Sequence, residues 1–222
     1  MGARPLFFKP HTGKIKTMKI FTNHRAALTT GIVLALVMAL VLDLTLNPPE
    51  SRYYFNVQSF ARWLHIGAGI FWIGLLYYFN AVQTPALADA AADKGGPGGA
   101  GVNKYVAPRA LWWFRWGAVA TWVFGAWLLG STFINTFTFG LVGEPSFKAT
   151  VLGIGVWLGT IMLLNVWGII WPNQKKILGI KPASDEEKAA ARKAALYASR
   201  TNFILSFPML LCMIAAGHGL PF

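Results

Sequence analysis

Apolar residues in this chain neither alternate nor keep to one helical stripe; they gather in five long runs separated by short polar stretches. A helix needs about 20 apolar residues to cross the hydrocarbon of a bilayer. The runs predict spans over about residues 27–46, 59–82, 109–132, 149–171 and 199–217. Asn47-Pro48-Pro49, Gln83-Thr84-Pro85 and Pro172 are read as stop signals, because proline has no amide hydrogen with which to continue a helix. Residues 84–107 are then a loop, made flexible by Lys94-Gly95-Gly96-Pro97-Gly98-Gly99-Ala100-Gly101. Ser184-Asp185-Glu186-Glu187 has the capping-box pattern. An amphipathic, alanine-rich helix over 184–198 follows it. That helix runs on into the fifth span, giving one helix of about 35 residues, or ~50 Å, bent at Pro208. The expected fold is all-α: a bundle of five transmembrane helices over 27–222, preceded by a basic arm over 1–26.

Composition agrees with that pattern. The chain is 55% hydrophobic and only 13% charged, where a soluble domain carries about 25% charge. The net charge of +12 would suggest a nucleic-acid partner in a soluble protein. Here Lys and Arg lie in the arm and in the segments beside the second-to-third and fourth-to-fifth span junctions. That is the positive-inside pattern, so the basic partner is membrane lipid, and no nucleic acid is expected. The N-terminus is placed in the cytoplasm and the C-terminus in the periplasm.

Cysteine occurs once, at Cys212. The sequence therefore has no intrachain disulfide, no C-x-x-C-H for covalent haem and no paired-cysteine zinc site. Any cofactor is left to histidine, methionine or weaker ligands.

One histidine, His65, falls within a span, in Ala61-Arg62-Trp63-Leu64-His65-Ile66-Gly67-Ala68-Gly69. An imidazole in hydrocarbon is costly and marks a candidate functional site. Ala61, Ala68 and Gly69 stand three and four residues from it, on one helical face. The slot they leave could take a flat group with His65 as axial ligand, or could let another helix approach closely, His65 then hydrogen-bonding that helix. The topology brings His218, at the end of the fifth span, to about the same depth. The two imidazoles could ligate a haem b iron from opposite sides, and Arg62, a turn nearer the water, could pair with a propionate. A histidine in the last turn of a helix also suits its dipole, which is the plainer role for His218. Asn165, Thr201, Asn202 and Ser206 are expected to meet and to hydrogen-bond between helices. Arg109-Ala110-Leu111-Trp112-Trp113-Phe114-Arg115-Trp116 is read as an interfacial belt.

Three stretches carry a family resemblance. They are Leu64-His65-Ile66 with Phe71-Trp72-Ile73-Gly74; Leu111-Trp112-Trp113-Phe114-Arg115-Trp116 through Thr121-Trp122; and Asn165-Val166-Trp167 with Ile170-Trp171-Pro172-Asn173-Gln174-Lys175, followed by Ser199-Arg200-Thr201-Asn202 and Pro208-Met209-Leu210. Together, over most of residues 60–215, they resemble the membrane domain of PuuD-type urate oxidases, the urate oxidase N-terminal domain family. The resemblance implies a multi-pass protein of the bacterial inner membrane coupled to cytochrome c redox chemistry. The cytochrome c domain that follows in such proteins is absent from this sequence, so a periplasmic cytochrome c is expected as a partner. A haem-binding electron-transfer protein, and with it a membrane oxidoreductase, is the first expectation; no catalytic residue is singled out. The alternative is a non-catalytic subunit packed among other membrane subunits of a respiratory or photosynthetic complex.

Overall fold

The computed structural model describes residues 23–46, 48, 50 and 55–221. The basic arm as far as residue 22 lies outside the described residues. The chain is all-α and has five helices long and apolar enough to cross a membrane. It divides at Phe55 into two units. The first contains helix α1 (His24–Leu46), which is apolar along nearly its whole length and ends just before Pro48.

The second unit holds the other four long helices. α2 (Val57–Tyr77) starts where the Asn56 side chain accepts the Ser59 amide hydrogen, at 2.9 Å. It does not stop at Pro85. A wide, π-helical turn (Tyr78–Gln83) leads straight into α3 (Thr84–Ala92). The stretch read as a loop over 84–107 is therefore mostly helical. Only residues 93–99 turn the chain, before a second wide turn (Val102–Val106) and α4 (Ala107–Leu129). A short 3-10 turn and α5 (Phe133–Phe137) make a bend that Gly140 and Gly143 complete at φ of 84° and 114°. α6 (Phe147–Asn165) follows, capped by Ser146, and a third wide turn (Val166–Ile170) carries it through Pro172 into α7 (Trp171–Ile177). α8 (Asp185–His218) is a single helix of 34 residues, as expected from its sequence. Both halves of its capping box are formed. At this polar end the Ser184 amide, and then Lys176, hold the Glu187 carboxyl below the usual carboxylate range.

Pro85, Pro108 and Pro172 share one context. In an ordinary helix a proline ring clashes with the carbonyl four residues back. For these three that carbonyl belongs to Ala81, Lys104 and Gly168, and each of them lies inside a wide turn. The turn's extra residue moves the carbonyl aside, and proline then sits comfortably in the first turn of the next α segment. The stop signals at Pro85 and Pro172 thus become changes of helical gauge.

α2 packs along α4, and α6 along α8. The pairs join through a core of Trp72, Leu76, Leu111, Phe114, Met162, Val166 and Met209. The outer faces are as apolar as the inner: Ile66, Ile70, Trp127, Leu164, Ile204 and Phe207 are all exposed. Side chains of that kind facing outward along whole helices suit lipid rather than water.

Candidate functional site

Ala61, His65, Gly69, Trp72 and Leu76 recur every three or four residues, and so share the interior face of α2, which Asn80 continues in the wide turn that follows. The facing stripe on α4 is Phe114, Gly117, Thr121 and Gly125. The two helices come close because three of these positions are small. A methyl group at Gly117 would stand 3.2 Å from the Trp72 backbone nitrogen, and one at Gly69 would stand 3.8 Å from the Thr121 methyl. The slot beside His65, read in the sequence as room for a flat group or for the close approach of another helix, is filled by α4. Gly69 serves helix packing there and does not face a cofactor space.

His65 itself is half-buried, and its ring lies against Gly125. Its Nδ1 is 2.7 Å from the Thr121 carbonyl oxygen. A carbonyl can only accept, so Nδ1 carries the proton and donates it. The Thr121 carbonyl is screened on its outer side by whatever side chain stands one turn later, at position 125. Glycine there is what lets the imidazole reach it. Thr121 turns its own hydroxyl to the Gly117 carbonyl, at 2.7 Å. With Nδ1–H committed, the lone pair is on Nε2, which has no hydrogen-bond partner among the described residues. An imidazole that binds a metal takes this form, its other ring N–H held by a carbonyl or carboxylate. On this observation the donor chemistry of His65 fits an axial haem ligand.

His218 is exposed in the last turn of α8, and Arg62 is exposed one turn before His65. The register of α2 and α8 can be read from two contacts. The Tyr77 and Ser206 hydroxyls meet at 3.1 Å, and Asn80 donates to Ser199 at 2.9 Å. Counting twelve residues back from Tyr77 reaches His65, and twelve on from Ser206 reaches His218. At 1.5 Å per residue both lie about 18 Å beyond the first contact, whereas from the second His65 lies about 22 Å and His218 about 28 Å away; the two histidines share one end of the bundle, with heights that agree to about 6 Å. Among the described residues, no three His, Cys, Asp or Glu side chains gather as a metal site; a haem iron asks the protein only for axial ligands.

Of the four polar residues expected to meet, Asn165 and Asn202 do so between α6 and α8, while Ser206 reaches Tyr77 of α2. Asn165 donates to the Ala198 carbonyl at 2.9 Å and to Asn202 Oδ1 at 2.7 Å, and Asn202 donates to the Met162 carbonyl at 3.0 Å. Thr201 instead bonds its own helix, at the Tyr197 carbonyl.

One residue was misplaced by its sequence context. Arg115 does not face outward with the exposed indoles of that stretch: it is 8% exposed, with its guanidinium 3.4 Å above the centre of the Trp171 ring. The signal was present, since Leu111, Arg115 and Ala118 share a helical face. The surrounding indoles, which favour headgroup level, masked it.

Residues 133–222, about two-fifths of the chain, match the family model for urate oxidase N-terminal. The match includes α6, α7, α8 and His218, and excludes α2 and His65. No curated protein and no solved structure matches the chain.

Proposed function

We propose, from the urate oxidase N-terminal domain at residues 133–222, that this chain is a membrane-embedded electron-transfer protein. It binds haem b at the end of the bundle that carries His65 and His218. The observation that carries this reading is the committed Nδ1–H of His65, which leaves Nε2 free to ligate. His65 is held by the Thr121 carbonyl and cannot spin; Gly125 sets how deep the ring lies. His218 stands at the same end of the bundle, in the last turn of α8, and Arg62, one turn before His65, is available to neutralise a carboxylate. Bound there, the haem supplies one-electron exchange near one membrane face. Because the filled slot excludes Gly69 from this role, the group lies off the Nε2 edge of His65.

The basic segments at the opposite end, with Lys175, Lys176, Lys181 and Lys188, favour the cytoplasmic side of a bacterial inner membrane for that end. The haem end then faces the periplasm, where a cytochrome c is the redox partner. A second reading is favoured by α4 occupying the slot: an accessory subunit in which His65 only ties α2 to α4, packed among other membrane subunits.

A reduced-minus-oxidised absorption spectrum of the purified protein separates the two. The redox reading expects a Soret band that His65→Ala abolishes and His218→Ala weakens or shifts. A protein with no Soret band, or one untouched by His65→Ala, leaves only the accessory reading.

A further inference from the structure

On the outside of the bundle a furrow of about 540 Å³ runs between α6 and α8, toward the lysine-rich end. Ile161 and Leu164 of α6 and Ile169 of the wide turn form one wall, and Tyr197 of α8 belongs to the other. The deepest residue is Ala198, which is 7% exposed and whose carbonyl accepts the Asn165 amide hydrogen at 2.9 Å. From Ile161 to Ile169 is about 12 Å along the helix. Leu164 and Tyr197 are 65% and 60% exposed, so the furrow opens sideways onto the surroundings of the bundle, which for these apolar walls means lipid. A hydrocarbon chain laid in it meets protein on two sides instead of one, and gains the additional dispersion contacts.

Two cations stand beside the furrow. Lys193 lies one turn before Tyr197, at the polar end, with its ammonium 5.8 Å from the centre of the Tyr197 ring. Arg200 lies one turn after Tyr197 and is half-buried. Side chains on a helix lean toward its N-terminus, which brings Arg200 back toward Tyr197 and Lys193. Two other lysines at this end are already matched, Lys176 by Glu187 at 3.4 Å and Lys188 by Asp185 at 3.6 Å. Among the described residues, neither Lys193 nor Arg200 has a carboxylate within ion-pair distance.

We infer that this furrow is a binding site for an anionic phospholipid, with one acyl chain along Ile169, Leu164 and Ile161 and the phosphate drawn to Lys193 and Arg200. A neutral apolar ligand would leave both charges unmatched, and a soluble anion would leave the apolar walls uncovered. An amphiphile with a negative head answers both. Lysine and arginine beside an aromatic ring also suit the depth at which lipid headgroups lie. The site is at the opposite end of the bundle from His65 and His218, and its occupancy does not depend on haem.

Native mass spectrometry of the delipidated full chain tests the site, by titration with phosphatidylglycerol or with phosphatidylcholine of the same acyl chains. Phosphatidylglycerol is expected to bind at least about tenfold more tightly. Lys193→Gln and Arg200→Gln should each weaken its binding about fivefold and leave phosphatidylcholine unchanged. Ala194→Trp places an indole in the furrow, which Ala194 also lines, and should weaken phosphatidylglycerol binding with both charges intact. Arg109→Gln removes an exposed cation on α4 and should change nothing. If Ala194→Trp fails to fold, the two Gln variants carry the test. Equal affinity for the two lipids overturns the site, as does full phosphatidylglycerol affinity in the Lys193→Gln/Arg200→Gln double variant or an equal loss in Arg109→Gln. A dimer that binds neither lipid also overturns it, since a second copy of the chain would then cover the furrow.

Discussion

Valine in place of Gly125 is expected to unseat His65 and to destabilise the bundle by about 2 kcal/mol, within the range for overpacking a close contact. The first carbon of any side chain at this position would stand 2.9 Å from His65 Cε1 and 3.0 Å from Nδ1. Retreat of α4 would open the close packing about two turns away, where Gly117 lies against the Trp72 backbone. The ring must swing out, and its hydrogen bond to the Thr121 carbonyl is lost. Unfolding in a graded sodium dodecyl sulfate titration gives the stability change, and the absorption spectrum gives the fate of any haem. The cause can be isolated with a second variant. In a His65→Ala background the ring is gone, and valine at 125 should cost much less than it does alone. Strictly additive effects of the two changes would refute the steric account.

Asn202→Ala should be the most damaging single truncation between α6 and α8, at about 2 to 3 kcal/mol. Asn202 is wholly enclosed and bonded on both sides, to the Met162 carbonyl and to Asn165. Interhelical hydrogen bonds in membranes average only about 0.6 kcal/mol each, with a maximum near 1.7. The remainder comes from the cavity that the lost amide leaves among side chains that cannot collapse onto it. Asn165→Ala should cost less, because that residue is only half-buried. The same detergent titration tests both, and an Asn202→Ala loss under about 0.5 kcal/mol would show that the layer is not holding the helices.

The five long helices were legible because bilayer-length apolar runs are a property of the chain alone, independent of packing. So was the Asn165–Asn202 contact, since two amides at matching depths in apolar helices have few other partners. The tie from His65 to Thr121 was foreseeable only in kind. Small residues at helical spacing announce a close approach, but cannot say whether a ligand or another helix makes it; here α4 does so at Gly69. Pro85 and Pro172 misled for a local reason: proline stops a helix of ordinary gauge, and the wider turn that spares it has no clear sequence mark. Arg115 misled for a regional one. Four aromatic neighbours within Trp112–Trp116 suggested headgroup level, while the single position that decides burial, its alignment with Leu111 and Ala118, went unweighted.

The wide turns ahead of Pro85, Pro108 and Pro172 have a consequence for how this chain tolerates change in its length. A hydrogen bond that spans five residues instead of four encloses one surplus residue. Losing one residue from 78–83, 102–106 or 166–170 would let the ladder close in the usual way, with both flanks still presenting their original sides. The same loss in the middle of α6 would turn everything beyond it by about 100°. Three of the four bundle helices therefore carry built-in slack near the lysine-rich end, whereas α8, which has none, keeps a fixed count from its Ser184 cap to His218.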